Sequence, residues 1–157
     1  MGVELSRREV LRSGMFAGIG MFFTSALGGS GAFLWPVKVT GFGSTVVVPI
    51  KPGDIKVGDV IPVREGKCYL TRSEDGLMAL YWRCVHLGCT VPWNAEAGKF
   101  ICPCHQSTYL ITGQNVAGPA TRPLDYMDLH VEGEQVVIET GKIHTRTRHQ
   151  PGQAVKV

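Results

Sequence analysis

Four of the five cysteines of this 157-residue chain lie in one short region, and this cluster constrains the fold more than any other feature of the sequence. They belong to two boxes, residues 84–89 (CVHLGC) and residues 102–107 (CPCHQS), and each box also contains one histidine. An even number of clustered cysteines indicates metal binding, disulfide formation or both. If the boxes bind one metal centre, the fold must bring two loops together so that their sulfur and imidazole groups face each other.

The composition favours β structure over a helical bundle. Twenty glycines, nine prolines and an aromatic content of only 8% are typical of short strands joined by many turns. The length and the hydrophobic content of 44% predict one globular domain with an anchor. The net charge of +3 is too small, and the basic residues are too scattered, for a nucleic-acid surface, so no nucleic-acid partner is expected.

Runs of β-branched residues that alternate with turn signals predict two groups of strands. The predicted strands cover residues 45–50, 57–63, 68–72, 77–82, 128–132 and 135–140. Hairpin turns are expected at residues 73–76 and at Gly133. Between the two groups, residues 84–122 are rich in Cys, Pro and Gly and poor in periodicity, and this insert contains both boxes.

Residues 13–37 carry no charged side chain, and many of them are apolar. A helix of this length is about 38 Å long, enough to cross the hydrocarbon layer of about 30 Å, so we predict a single transmembrane anchor. A cleaved signal peptide is the alternative. Residues 38–44 are predicted to form a flexible hinge that leads to a head formed by residues 45–141.

The N-terminal residues 1–12 are predicted to lie in the cytoplasm. Within them, residues 6–12 (SRREVLR) resemble a twin-arginine export signal, which addresses proteins that fold before translocation. The alternative is an ordinary positively charged flank of a membrane helix. Both interpretations place the head on the outer side of the membrane, in a periplasmic, extracytoplasmic or lumenal space.

Together the two boxes offer two thiolates and two imidazoles. This set could bind a tetrahedral zinc ion or a mixed-ligand iron-sulfur cluster, and the number of ligands alone does not decide between them. A four-ligand zinc site would leave Cys89 and Cys104 unused, whereas in an oxidising compartment this pair would form a disulfide that joins the loops. The extra cysteines favour the cluster, and a zinc-stabilised binding module is the remote alternative.

The pattern C-x-H-x-G-C with C-P-C-H-x-S resembles the paired boxes of Rieske proteins from cytochrome bc-type complexes, including the plastoquinol-oxidising photosynthetic ones. The resemblance implies an all-β fold, a Rieske-type antiparallel β-sandwich with a loop-rich cluster-binding insert, preceded by one N-terminal transmembrane helix. It implies that Cys84 and Cys102 bind one iron of a 2Fe-2S cluster and that His86 and His105 bind the other. It also implies that the second cysteines of the two boxes, Cys89 and Cys104, pair with each other.

The same resemblance assigns five further residues around the cluster. The hydroxyls of Ser107 and Tyr109 would donate hydrogen bonds to a cluster sulfur and a cysteine sulfur, which stabilises the reduced state. Gly118 and Pro119 would cover a third side of the cluster, and Leu87 would shield it at the docking tip. The alternatives are ordinary loop hydroxyls and simple turn chemistry.

Several residues depart from the family pattern or lie outside it. Gln106 occupies a position that is often glycine in the family. Cys68 has no counterpart there and is predicted to be a small buried side chain on a strand. The basic tail, residues 142–157, is predicted to be a solvated terminus, and contact with anionic lipid or a partner subunit is the alternative. No functional role is predicted for the remaining histidines, His130, His144 and His149.

The function implied by the resemblance is one-electron transfer from quinol. A quinol hydroxyl would bind His105, passing its electron to the cluster and its proton to the imidazole. The head would then deliver the electron to a c-type cytochrome or plastocyanin, while a cytochrome b-type subunit takes the second electron. The chain would be a catalytic subunit anchored in membrane lipid and inactive alone. The nearest alternative is the small Rieske subunit of another exported oxidoreductase, such as an arsenite oxidase.

Overall fold

A long helix, α1 (Arg7–Leu34), precedes a β domain in this computed structural model, which describes residues 6–34 and 42–157. Ser6 caps the helix, because its hydroxyl accepts a hydrogen bond from the N–H of Glu9 (3.3 Å) and the Glu9 carboxylate accepts one from the N–H of Ser6 (2.8 Å). The stretch Arg7–Gly31 is long and apolar enough to cross a membrane, and none of it is buried in the structure. The helix begins before the predicted anchor, whose last residues, 35–37, lie outside the described residues.

The predicted hinge is described only in part, because residues 38–41 also lie outside the described residues. Residues 42–44 are attached to the β domain: the N–H groups of Gly43 and Ser44 lie 2.9 and 3.2 Å from Thr140 Oγ1 and donate to it. The ring of Phe42 stacks on Tyr81 with 5.8 Å between the centroids. These three residues therefore belong to the domain and not to a flexible segment, which corrects that part of the prediction.

Ten strands follow: β1 (Thr45–Val48), β2 (Val60–Val63), β3 (Cys68–Ser73), β4 (Gly76–Tyr81), β5 (Trp93–Asn94), β6 (Lys99–Ile101), β7 (Thr108–Tyr109), β8 (Asn115–Ala117), β9 (Tyr126–Glu132) and β10 (Gln135–His144). Six of them form an antiparallel sheet in the order β1-β10-β9-β4-β3-β2. The other four form a smaller antiparallel sheet in the order β5-β6-β7-β8. Apart from α1 and two short 3-10 turns, the described chain is all-β, as predicted.

All six predicted strands are present in the larger sheet. The strand predicted at residues 57–63 begins only at Val60, because the carboxylate of Asp59 accepts a hydrogen bond from the N–H of Lys56 (2.7 Å) and closes a turn. Both predicted hairpins are observed, one with Ser73 paired to Gly76 and one that turns through Gly133 at φ +60°. The smaller sheet lies inside the insert, where strands of two or three residues are too short to show periodicity.

Two hydrophobic cores lie on opposite faces of β3 and β4. Alternate residues of these strands contribute to each core, because successive side chains of a strand point to opposite faces. One core contains Cys68, Leu70, Leu77 and Ala79 with residues of β1, β9 and β10. The other contains Tyr69, Met78, Leu80, Phe100 and Tyr109, and it also includes two cysteines of the boxes. The insert is thus packed against the larger sheet. Cys68 is completely buried, which confirms its predicted environment.

The C-terminal residues are not a solvated extension, and that prediction is wrong. Strand β10 continues to His144, and Val155 pairs with Leu77 through two backbone hydrogen bonds of 2.8 Å. The side chain of Arg146 is buried and donates from Nε to the carbonyl oxygen of Leu124 (2.8 Å). The imidazole of His149 lies 2.8 Å from a carboxylate oxygen of Asp75 in the β3–β4 turn. Sequence reasoning missed these contacts because a basic, proline-containing terminus carries no periodic signal.

Candidate metal centre

The two boxes occupy two loops that follow strands of the two sheets. The first loop connects β4 to β5, and the second connects β6 to β7. Both loops have the same hydrogen-bond pattern. The N–H of the first residue in each box donates to the carbonyl oxygen of the sixth, at 2.7 Å in the first box and 2.8 Å in the second. The N–H of the fifth residue donates to the carbonyl oxygen of the first, at 2.8 and 3.0 Å respectively.

The fifth residue of each box has a left-handed backbone conformation. Gly88 has φ +76° and Gln106 has φ +60°. Glycine adopts this conformation without strain, whereas glutamine incurs a steric penalty. Because the two positions are equivalent, glycine is expected at residue 106 as it is at residue 88. Aligning the two boxes in the sequence would have predicted the left-handed conformation of Gln106.

The disulfide between Cys89 and Cys104 joins the two loops, as predicted. The Cα atoms of the two cysteines are 6.7 Å apart, and 15 positions separate them in the sequence. Cys89 is the last residue of the first box and Cys104 is the third residue of the second. The bridge therefore holds the boxes face to face.

The other two cysteines of the boxes are buried free thiols. Cys84 is 3% exposed and Cys102 is 1% exposed. Burial, the largest effect on Cys84, favours its neutral form. Hydrogen bonds from Tyr109, from the backbone of His86 and from the side chains of Cys102 and Ser107 outweigh burial and lower the pKa of Cys84 below its ordinary value. The thiol of Cys84 therefore loses its proton more readily than an ordinary cysteine, as a thiolate ligand must.

The two histidines of the boxes lie side by side at the surface. Their ring centroids are 4.9 Å apart and the rings are nearly perpendicular. His86 is half-buried, whereas His105 is exposed. Leu87, next to His86, is 69% exposed and adds an apolar side chain to this tip. The structure therefore places thiols inside the domain and imidazoles at its edge.

The loop that contains Gly118 and Pro119 lies against the second box. A Cβ atom at Gly118, whose φ is +84°, would lie 2.5 Å from Ser107 Cα and 2.8 Å from the carbonyl oxygen of Gln106. The hydroxyl of Ser107 is buried and accepts a hydrogen bond from the N–H of Ala120 (3.2 Å). Ser107 therefore links this loop to the second box while its hydroxyl also interacts with the sulfur of Cys84. The contact made by Ala120 was not foreseen, since a backbone N–H leaves no signal in a sequence.

Three cysteine sulfurs of the two boxes lie close together. The described residues contain one set of three donors within 4.8 Å of one another, formed by the sulfurs of Cys89, Cys102 and Cys104. Two of these sulfurs are joined in the disulfide and cannot bind a metal. Of the three, only Cys102 has a free thiol that can bind a metal.

Comparison with known proteins identifies this type of centre. The matching family model, described as Rieske [2Fe-2S] domain, covers residues 45–143. The chain is 38% identical over 135 residues to cytochrome b6-f complex iron-sulfur subunit 1 of the cyanelle of Cyanophora paradoxa. The aligned region covers 84% of this chain and 49% of that protein. It is 46% identical over 69 residues to the cytochrome b6-f complex iron-sulfur subunit of Synechococcus sp. (strain RCC307), covering 43% and 39% respectively.

A solved structure supports the same class of protein. A chain of a hyperthermophilic respiratory Complex III matches with a TM-score of 0.50 and 27% identity, covering 76% of this chain and 98% of that chain. The fold and the paired boxes define an iron-sulfur protein with mixed cysteine and histidine boxes. The chain belongs to the Rieske [2Fe-2S] family. It spans about half or less of the length of the curated relatives that it matches.

A 2Fe-2S cluster is the cofactor of this domain, as predicted. The residues present fit such a group, because one disulfide-linked pair of loops contains two buried thiols, one of them with a lowered pKa, and two adjacent imidazoles. Helix α1 is the one helix among the described residues that is long and apolar enough to cross a membrane, and together with the membrane complexes of the relatives it supports a single-pass membrane protein. The assignment of each ligand to an iron remains a prediction.

Proposed function

We propose that this chain is the electron-transfer subunit of a quinol-oxidising cytochrome bc-type complex. The observation that carries the proposal is the division of the ligand groups, with Cys84 and Cys102 buried and His105 exposed beside Leu87. A site that exchanges electrons with other molecules needs such an exposed edge. Relatives named as cytochrome b6-f iron-sulfur subunits and the likeness to a chain of respiratory Complex III support the same function.

In this proposal, Cys84 and Cys102 would bind one iron, and His86 and His105 would bind the other. When bound, the cluster supplies one-electron chemistry at a potential raised by the two neutral imidazoles, which replace negatively charged thiolates. Burial protects the two thiols from solvent, and the disulfide between Cys89 and Cys104 keeps the two loops from separating. The domain thus fixes all four ligands before a partner arrives.

His105 is the group that meets quinol. Its exposed imidazole can hydrogen-bond to a quinol hydroxyl and hold the proton that quinol loses with its electron. Leu87 supplies an exposed apolar contact at the same tip, which excludes water from the docked surface. Because proton and electron leave quinol at neighbouring atoms, His105 couples the two transfers.

The partners follow from this role. Helix α1 crosses the membrane with residues 1–12 in the cytoplasm, and the head lies on the outer side. Quinol in the membrane is the donor, and a c-type cytochrome or plastocyanin is the acceptor. A cytochrome b-type subunit completes the quinol site and takes the second electron. The chain alone therefore does not turn over quinol.

The test measures cluster reduction by quinol in native membranes, monitored by electron paramagnetic resonance and repeated with a quinol-site inhibitor. We expect inhibitor-sensitive reduction that slows several-fold in Leu87→Ala, because an apolar docking contact is lost. Val57→Ala is the control, since Val57 is similarly exposed (61%) but lies outside the insert. Reduction by arsenite and not by quinol would assign the chain to another exported oxidoreductase.

Chemical analysis separates the cluster from zinc. The purified chain is expected to contain iron and acid-labile sulfide in equal amounts and to give an anisotropic resonance when reduced. A protein that contains zinc without sulfide would end the proposal.

A further inference from the structure

A basic cavity lies between Arg122 and the C-terminal residues 145–153. Its volume is about 450 Å³ and it opens to solvent. Three arginines line it, together with two threonines and two glutamines, and no carboxylate belongs to its lining in the part of the chain that the structure describes. A surface made almost entirely of hydrogen-bond donors and positive charges is complementary to an anion.

Arg146 places a fixed positive charge in this cavity. Its Nε donates to the carbonyl oxygen of Leu124 (2.8 Å), and its terminal nitrogens lie 2.7 Å from the carbonyl oxygen of Thr112, 2.9 Å from the side-chain oxygen of Gln153 and 3.2 Å from Nδ1 of His149. These acceptors hold the guanidinium rigidly, yet among the described residues no carboxylate forms an ion pair with it.

Burial lowers the pKa of Arg146 to about 10, so the side chain is still a cation at neutral pH. It is only 6% exposed. Removing a charge from water is costly unless an opposite charge is near. Asp125 acts on Arg146 from nearby but already pairs with Arg122, so an anion in the cavity would add negative charge beside Arg146.

The other two arginines differ in how far their charge is compensated. Arg122 forms a two-pronged ion pair with Asp125, so much of its charge is neutralised. Arg148 is exposed and makes no ion pair within residues 6–34 and 42–157. The hydroxyls of Thr145 and Thr147 add neutral donors beside it. Among the described residues, the three lining arginines therefore carry more positive charge than Asp125, the carboxylate paired with one of them, balances.

We infer that this cavity binds a phosphate-type oxyanion, either as free phosphate or as the phosphodiester of a lipid headgroup. Guanidinium groups bind phosphate oxygens in a two-pronged geometry, and hydroxyls bind the remaining oxygens. The cavity is large enough for a phosphate with a substituent. This site is separate from the cluster ligands and does not depend on the proposed function.

Isothermal titration calorimetry of the full chain with its cluster, in neutral detergent and at constant ionic strength, tests the inference. Two probes distinguish the sources: inorganic phosphate, and glycerophosphoglycerol, which is a lipid headgroup without acyl chains. Arg148→Gln removes a cation from the lining, and Lys142→Gln removes an exposed cation of the same segment that does not line the cavity. Asp125→Asn frees Arg122 from its ion pair and adds net positive charge.

We expect saturable binding of at least one probe. Arg148→Gln should weaken it at least about threefold, as the loss of a charge-assisted hydrogen bond predicts, while Lys142→Gln should bind like the parent chain. Asp125→Asn should bind more tightly. Tighter binding of phosphate assigns a free anion, and tighter binding of the diester assigns a lipid headgroup. The inference is overturned if neither probe gives saturable heat, if the two cation variants bind equally, or if Asp125→Asn does not tighten binding while its cluster resonance is unchanged.

Discussion

The hydroxyl of Tyr109 lies 3.1 Å from the sulfur of Cys84, and both groups are buried in the core beneath the boxes. Burial, followed by the hydrogen bond to Cys84, raises the pKa of Tyr109 well above its ordinary value. The phenol therefore keeps its proton at neutral pH and donates a hydrogen bond to the sulfur. A donor to a ligand sulfur stabilises the reduced cluster, which carries the extra negative charge.

Tyr109→Phe is accordingly expected to lower the midpoint potential of the cluster. A hydrogen bond that favours the reduced state tenfold corresponds to about 60 mV for a one-electron couple. Redox titration followed by electron paramagnetic resonance measures the shift. Tyr69→Phe is the control, because Tyr69 packs in the same core against Phe100 without contacting a box cysteine in any described contact. An equal potential in the parent and Tyr109→Phe would remove the donor role.

Ser107→Ala is expected to have two effects. The potential should fall, because the hydroxyl that interacts with Cys84 is lost. The free energy of unfolding should also fall by about 1–3 kcal/mol, because the buried N–H of Ala120 loses its acceptor. Titration and chemical denaturation measure them separately. In Ser73→Ala, which removes a buried hydroxyl from β3, only stability should change.

The residues of the candidate site could be predicted from the sequence because the chemistry depends on residue types at fixed spacing. Cysteine and histidine in two six-residue boxes, with a spare cysteine in each, left few alternatives. The disulfide between Cys89 and Cys104 is present as predicted. The assignment of Cys84, His86, Cys102 and His105 to individual irons is still a prediction.

The parts of the fold that could not be predicted depend on contacts without a local signal. The strands of the small sheet are only two or three residues long, so their pairing comes from tertiary packing. The sequence favours a solvated charge at Arg146, since nothing in it indicates that the carbonyl groups of Thr112 and Leu124 surround this side chain. The longer strands β3 and β4, by contrast, have bounds close to the predicted ones, because their apolar runs are flanked by clear turn signals.

Gly98 and Gly118 both have a left-handed backbone conformation, but only Gly118 has neighbouring atoms close to the position of a Cβ atom. Alanine substitutions at the two positions therefore distinguish the cost of steric overlap from the cost of backbone strain. Gly98 has φ +60°, and no atom lies within 4 Å of the point that a Cβ atom would occupy there, so Gly98→Ala should cost only about 1–2 kcal/mol. Gly118→Ala should cost more, because its methyl group would overlap backbone atoms of Ser107 that cannot move without displacing the second box. Thermal loss of the visible cluster absorption measures both variants. If Gly98→Ala and Gly118→Ala lose the cluster at the same midpoint temperature, the 118–120 loop shifts to accommodate the added methyl group and the predicted overlap is wrong.

Cys68 gives a prediction about pH. Burial raises the pKa of its thiol from 9.0 to about 12 in the folded chain. Above pH 9 the unfolded chain therefore releases this proton while the folded chain retains it, so the contribution of Cys68 to stability declines as the pH rises from about 9 toward 12. Denaturation of the parent and Cys68→Ala between pH 7 and about 11 measures the difference. Relative to Cys68→Ala, the parent chain should lose free energy of unfolding as the pH rises through this range. A constant difference between the two chains would contradict the burial effect.

Removal of the disulfide tests how the two loops are held. The bridge closes a loop with a sequence separation of 15 residues, for which chain entropy predicts a stabilisation of about 3 kcal/mol. A Cys89→Ala, Cys104→Ala double variant should therefore lose its cluster absorption at a lower temperature than the parent. Treatment with a thiol reductant provides the matched control, since it should lower the midpoint of the parent to that of the variant and leave the variant unchanged. If the reductant lowers both midpoints equally, it acts on the cluster itself, and the bridge is not what keeps the boxes together.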